Sequence, residues 1–391
     1  MKGVSPPSRR GTIAELRLLN FRSFGNLRLC LEDLTILVGR NGSGKTTVLD
    51  AFDFLRDALT DGLTIAIEKN DGLSGIIRRP NPLRPLYVYL VAVINLGKGK
   101  SLYGFSVGLG GMVSREVLWT GDDATSFRRD SEGFKTGVPD VQPDLAPDSL
   151  ALPVVAGSRH EWWRTLYALR GARSYVLSPD AIGQELAIRK SLWLNRNGDN
   201  AAEILRNLER AGRAKDLEWV TRHLAAVTPG IVNVGTAASG GRRRVIFEQQ
   251  FGPKARHRFD GHQMSSGTLR CLGVLLALRQ KSNPSLVLVD ELEDSIHPAA
   301  LSVLMDAIEA SLDHCKVVIT THSPELLTHG AATAKRVRIL DWKDGQSKVY
   351  PVSPEVADSL KPPESVGRLL RSNALWPAEE PSVVEGGIFE I

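Results

Sequence analysis

Hydrophobic and polar residues alternate along Ile13–Asn20 and again along Leu27–Leu31, the period-two pattern of strands with one buried face. Leu34–Val38 is a short apolar run that reads as a buried strand. A glycine-rich turn at Gly39–Gly44 follows, and a helix is predicted from Lys45, with Val48, Phe52, Leu55 and Leu59 on one face. Residues 86–96 and 101–119 read as further strands, whereas residues 121–150, rich in Asp, Gly, Ser and Pro, read as a long loop or a poorly ordered hairpin. From Glu161 to Val227 the pattern turns helical, most clearly over Asn200–Arg210 and Ala214–Ala226. Arg242–Phe251 and Ala255–Phe259 flank Gly252-Pro253 as a hairpin. The last third alternates helix and strand: a helix over Gly267–Arg279, a strand over Leu286–Val289, a helix over Pro298–Leu312 and a strand over Lys316–Thr320. Met1–Arg10 reads as disordered and the stretch after Pro351 as loosely structured; no internal repeat or heptad pattern appears.

Composition narrows this little. The 391 residues, 42% hydrophobic and 24% charged, suit a globular chain with a sizeable core. A net charge of +5 permits nucleic-acid contact without demanding it. Cys30, Cys271 and Cys315 are widely separated, which points away from a disulfide framework or zinc site and fits a reducing cytoplasm. There is no leader-like n-region and h-region, and the apolar stretches are too short to span a bilayer, so a soluble, cytoplasmic protein without a membrane role of its own is expected.

Four motifs carry chemistry. Gly39-Arg-Asn-Gly-Ser-Gly-Lys-Thr46 is a full G-x-x-x-x-G-K-[ST], placed between a buried strand and an amphipathic helix. Its glycines let backbone N–H groups converge on phosphate oxygens, Lys45 reaches the β- and γ-phosphates, and Thr46 offers a hydroxyl to Mg²⁺. Asn41, Gly42, Ser43, Gly44 and Thr47 complete the expected ATP contacts. Leu286-Val-Leu-Val-Asp290-Glu291 ends an apolar strand in two carboxylates; Asp290 is the expected Mg²⁺ ligand and Glu291 the general base. On its own this pattern is weak, because many strands end in acids. His322, at the end of Ile319-Thr-Thr-His-Ser-Pro, suits contact with the γ-phosphate and attacking water, although a lone His is more often a loop residue. Met264-Ser265-Ser266-Gly267 opens a helix, where Ser265 and the Gly267 backbone present donors to an anion, or simply cap the helix.

In this order the four resemble the ABC-ATPase superfamily: Walker A at 39–46, signature at 264–268, Walker B at 286–291 and switch histidine at His322. The opening strand followed by Asn20-Phe-Arg-Ser-Phe24 looks like the RecF/SMC/OLD-like branch, and the spread from Ile13 to Trp342 resembles bacterial AAA-family ATPases without coiled coil or Toprim domain. The resemblance implies an α/β P-loop NTPase of ABC-ATPase type with a β-rich subdomain and an inserted helical subdomain. Expected divisions are 11–155 for the N-terminal part of the ATPase lobe, 156–235 for the helical insert and 236–391 for the C-terminal part. It implies ATP and Mg²⁺ as cofactors, hydrolysis of ATP, and a head-to-tail homodimer in which the signature of one copy closes over the ATP of the other.

The same resemblance suggests coupling to DNA or to anti-phage defence, with DNA or an effector protein (nuclease or toxin) on a separate chain as partner. Val383-Val-Glu-Gly386 is only faintly similar to the first Toprim strand, and no Toprim metal site is expected. Two departures matter: the signature carries Ser266 where Gly is usual, and no good Q-loop glutamine is found, Gln142 being a poor candidate. That leaves a low-turnover ATP-dependent scaffold as the alternative, while a transporter energy subunit is disfavoured. Arg22 reads as a phosphate or DNA contact or equally as a solvated strand end. Arg242, Arg243, Arg244, Lys254, Arg256, His257 and Arg258 on the predicted hairpin, and likewise Arg78-Arg79, suit phosphate contacts or a charge-blunted edge; the edge reading is favoured for the hairpin because few aromatics interleave. Trp162 and Trp163 read as core or interface residues.

Overall fold

The computed structural model describes residues 11–79, 87–97, 99–210, 212–253, 255–280, 284–359, 365–372, 375 and 377–390. The expectation of disorder for Met1–Arg10, and Lys254 of the basic cluster, lie outside them.

Three sheets organise the chain. The six-stranded one runs, in order, Gln346–Pro351, Val337–Lys343, Leu34–Gly39, Lys316–Thr321, Leu286–Val289 and Ala172–Tyr175. All its pairings are parallel except the one between Val337–Lys343 and Gln346–Pro351. The buried apolar runs read from the sequence are those of a parallel sheet covered on both faces. Leu37, Leu286, Leu288 and Val318 face one core, which also holds Val48, Phe52, Leu55 and Leu59 of the helix Lys45–Thr60. Leu34, Ile36, Val287, Val289, Val317 and Ile319 face a second core, shared with the helices Ala201–Arg210, Ala214–Val227, Ser266–Arg279 and Pro298–Glu309.

A seven-stranded antiparallel sheet covers the other side of the Lys45–Thr60 helix. Its order is Phe24–Cys30, Thr12–Phe21, Val88–Asn95, Lys100–Val107, Val113–Trp119, Phe127–Asp130 and Gly133–Thr136. Leu16, Leu18, Leu90, Ala92 and Phe105 turn one face of it into the first core, as period-two alternation requires. The third sheet centres on Arg242–Phe251, flanked by Ile231–Ser239 on one side and by Ala255–Asp260 and Leu186–Ala187 on the other. No helix among the described residues is long and apolar enough to cross a membrane.

Three stretches differ from the sequence reading. Ala172–Tyr175, inside the stretch read as helical, is the edge strand beside Leu286–Val289; four residues are too few for a periodicity to show. The 121–150 stretch, read as a long loop or a poorly ordered hairpin, does contain a hairpin, Phe127–Asp130/Gly133–Thr136, but one anchored by buried Phe127 edge-on against fully buried Trp162. After Pro351 come two short helices, Pro354–Ser359 and Val366–Arg371, and then an extended segment over residues 377–390 that folds back on the sheets. Ser382 N donates to Val349 O, Arg28 N to Ser382 O, and Ile388 packs with Val91, Val93 and Leu102 on the outer face of the antiparallel sheet.

Candidate functional site

Because the central strands are parallel, Gly39, Thr321, Val289 and Tyr175 all end at one sheet edge, where ligands of open α/β sheets sit. Register brings the pieces side by side: Leu37 pairs with Thr320, Val38 with Thr321 and Val289 with Ile319.

The turn after Leu34–Gly39 needs its glycines. Gly42 and Gly44 have φ of 78° and 101°, left-handed values that strain other residues, and a Cβ on Gly44 would lie 2.5 Å from Ser347 Oγ. Asn41 and Gly42 are exposed, Ser43 is buried with its hydroxyl unpartnered, and Thr47 Oγ1 lies 3.4 Å from Ser23 Oγ. Lys45 Nζ donates to the carbonyls of Gly39 at 2.7 Å and Arg40 at 3.1 Å, so its ammonium lies across the loop it closes. Burial pulls the Lys45 pKa below its ordinary value, against the opposing pull of Glu291, Asp290 and Glu293.

Thr46 Oγ1 donates to Asp290 Oδ2 at 3.0 Å, and Thr320 Oγ1 donates to Asp290 Oδ1 at 2.6 Å. Two hard oxygens from different elements, a hydroxyl and a carboxylate, thus meet at one point. That donor set suits Mg²⁺, which is held by one or two protein oxygens together with phosphate and water. No group of three or more His, Cys, Asp or Glu side chains is disposed to hold a metal among the described residues. Glu291 has φ 45°, a left-handed conformation of the kind concentrated at functional sites, and its N–H donates to Thr320 Oγ1 at 2.8 Å.

His322 lies at the same edge. Its N–H donates to Glu293 Oε1 at 2.7 Å and its Nδ1 lies 3.1 Å from the same oxygen. With Gly39 and Arg40 it borders a cavity of about 400 Å³. Glu293 was not foreseen; the only trace of it in the sequence is an acid two residues beyond Glu291.

Ser265 caps the helix Ser266–Arg279, accepting from Thr268 N at 3.2 Å, and a Cβ on Gly267 would meet Ser295 O at 2.8 Å. Among the described residues no hydrogen bond joins Ser265–Thr268 to the 39–47 loop. The link runs one turn further on, through Arg270, also unforeseen. Its buried guanidinium donates to the carbonyls of Leu177 at 2.6 Å, Asp290 at 2.9 Å and Glu291 at 2.7 Å, and pairs with Asp294 at 3.2 Å. Burial pulls its pKa down while Asp294, Glu291, Glu293 and Asp290 pull it up.

Arg22 is turned onto the Lys45–Thr60 helix. It pairs with Asp50 and donates to Asn70 Oδ1 at 2.6 Å. Asp50 also receives Arg196 at 2.8 Å, and Arg196 bonds Asp53 at 2.8 Å. Burial lowers the Arg196 pKa, but its hydrogen bond to Asp50 and the charges of Asp53, Asp50 and Asp290 carry it above the ordinary value. The basic hairpin is heavily paired: Arg243 with Glu203 at 3.0 Å, Arg244 with Asp260 at 2.8 Å and Arg258 with Glu248 at 2.8 Å. Trp162 donates its Nε1–H to Thr125 O at 2.7 Å from the core, while Trp163 is exposed and stacks on Tyr167.

Comparison with known proteins bears on what this edge does. The family described as "AAA ATPase domain" matches residues 12–76. The one described as "AAA domain, putative AbiEii toxin, Type IV TA system" matches residues 195–328. Among curated proteins, none matches the sequence. The SMC head bound to the C-winged helix domain of ScpA superimposes with a TM-score of 0.55 at 17% identity, covering 89% of this chain and 99% of that one. An SMC head with an extended coiled coil bound to the C-terminal domain of ScpA, from Pyrococcus furiosus, does so with a TM-score of 0.52 at 16% identity, covering 90% and 98%. At such identities the likeness is one of fold.

Proposed function

We propose that this chain, which matches AAA ATPase families over two segments and is SMC-head-like in fold, is an ATPase of the RecF/SMC-like branch of the ABC ATPases and works as an ATP-driven homodimer. The observation that carries the reading is the Thr46–Asp290 contact, which joins the phosphate-loop helix to the acidic strand at the one place a Mg²⁺·ATP would need both. In this reading the 39–47 backbone and Lys45 hold the phosphates, Thr46 and Asp290 hold Mg²⁺, and Glu291 takes the proton of the attacking water. Bound Mg²⁺ would screen the phosphate charges and orient the γ-phosphoryl group. Arg270 keeps the Asp290 and Glu291 backbone fixed relative to the helix that starts at Ser265, so the two ends of the site move together. Arg22, tied to Asp50, acts at one remove, by steadying the phosphate-loop helix.

One chain supplies one phosphate loop and one Ser265–Gly267 helix start, so a twofold head-to-tail dimer with two ATP sites is the simplest complete assembly. We assign it a role in a DNA-related or defence process with an effector on another chain; support comes from the match to a family described as a putative toxin of a toxin–antitoxin system. The pairing of Arg243, Arg244 and Arg258 with their own carboxylates favours a structural role for the hairpin, which leaves a protein partner the better-supported regulated ligand. The second reading, a low-turnover ATP-dependent scaffold, is favoured by one feature: Val176-Leu177-Ser178, leaving the edge strand next to Asp290, contains no glutamine. Light scattering of Glu291→Gln tests the assembly. Saturating ATP-Mg²⁺ should double its mass; a mass that stays monomeric contradicts the dimer.

A further inference from the structure

Glu293 lies three residues beyond Asp290 and is almost completely shielded from solvent, its side chain only 9% exposed. Its Oε1 takes two contacts from one residue, the His322 N–H and the His322 Nδ1. Its Oε2 is buried and has no hydrogen-bond partner. Such a carboxylate is costly to bury, and half of its acceptor capacity is spent on a single neighbour that borders the cavity shared with Gly39 and Arg40. Glu293 also acts on the Lys45 ammonium through its charge, which places it within electrostatic range of the phosphate loop.

We infer that Glu293 is a positioning residue for ATP hydrolysis, fixing both the direction and the tautomer of the His322 imidazole. The chemistry is one-sided. An ionised carboxylate only accepts, so a ring nitrogen held 3.1 Å from Oε1 is the one that carries hydrogen. With the proton on Nδ1, the neutral ring presents a lone pair at Nε2. His322 then accepts a hydrogen bond from the attacking water and orients it, while Glu291 takes the proton. The second contact, from the His322 backbone, fixes Oε1 relative to the residue whose ring it orients. A carboxylate that orients the far nitrogen of a working histidine is a general device, here built from residues 29 positions apart in the chain.

The inference rests on the ATP-site reading for its consequence, but its first test does not. In protein labelled with ¹⁵N in the imidazoles, a two-bond ¹H–¹⁵N correlation spectrum reports the tautomer of each histidine, and His322→Asn identifies the His322 signals. The native protein should show His322 in the Nδ1–H form. Glu293→Ala should shift it to the Nε2–H form that an unconstrained histidine side chain prefers, lower kcat about a hundredfold and leave KM for ATP within about threefold. Glu293→Gln keeps an acceptor oxygen and should restore the Nδ1–H form together with most of kcat. A native Nε2–H form overturns the inference, as does a Glu293→Ala spectrum unchanged from the native one. Absence of any ATP turnover would sink the ATP-site reading while leaving the tautomer result standing on its own.

Discussion

At the scale of single residues, the site was legible wherever one segment carries its own logic. Gly42, Gly44, Lys45 and Thr46 stand out because the proposed phosphate loop would need those residue types in that spacing, and both glycines have left-handed φ values. Arg270 and Glu293 were not legible, because their partners (Asp290 and Glu291 for one, His322 for the other) lie 20 or more positions away. A buried charge gives no sign in sequence of what will neutralise it. Glu116 makes the same point away from the site. It is fully buried, accepts from the amides of Ala151 at 2.6 Å and Leu152 at 3.0 Å, and receives the Tyr103 hydroxyl at 2.9 Å. Burial raises its pKa above the ordinary glutamate value, outweighing those hydrogen bonds and the charge of Arg129. A carboxyl with a raised folded pKa contributes stability that is complete below the unfolded pKa and is lost as pH rises through the folded one. The unfolding free energy of the native protein minus that of Glu116→Gln should therefore fall as pH rises through that window. Urea titrations of both at several pH values check it, and a difference that grows with pH contradicts the assignment.

Among elements, the long periodic ones were readable and the short or irregular ones were not. The helix Lys45–Thr60 shows its apolar stripe plainly, since only one of its sides must be polar. The helix Ser266–Arg279 is buried almost all round, so its capping serine rather than any stripe marks its start. The extended segment over residues 377–390 has no period at all and is held by particular contacts. Asn26 and Val384 exchange two hydrogen bonds, at 3.2 and 2.9 Å, and Arg17 donates to the carbonyls of Ile388, at 3.1 Å, and Glu390. Ile388 and Phe389 cover apolar side chains on the outer face of the antiparallel sheet. Truncation after Glu380 should cost about 2 kcal/mol for Ile388 alone and lower the melting temperature, with new binding of an apolar dye as Val91, Val93 and Leu102 become exposed. Unchanged melting and no dye binding would mean the segment contributes nothing to the fold.

On the scale of the whole molecule, two cores on opposite faces of one parallel sheet make the edge at Gly39, Val289 and Thr321 rigid, and rigidity there is what a site for charge stabilisation needs. The sequence indicated this architecture through the order of its motifs. What it could not indicate was how the pieces hold each other, through Thr46 on Asp290, Arg270 on the Asp290–Glu291 backbone and Glu293 on His322. In the proposed function these contacts assemble a hydrolytic centre in which Glu291 is the base. Steady-state phosphate release from ATP-Mg²⁺ by the native protein and by Glu291→Gln tests that most directly. The native protein should turn over ATP, and the variant should fall at least about a hundredfold while still binding nucleotide. Equal rates in the two proteins, or a native rate no higher than the variant's, would contradict it.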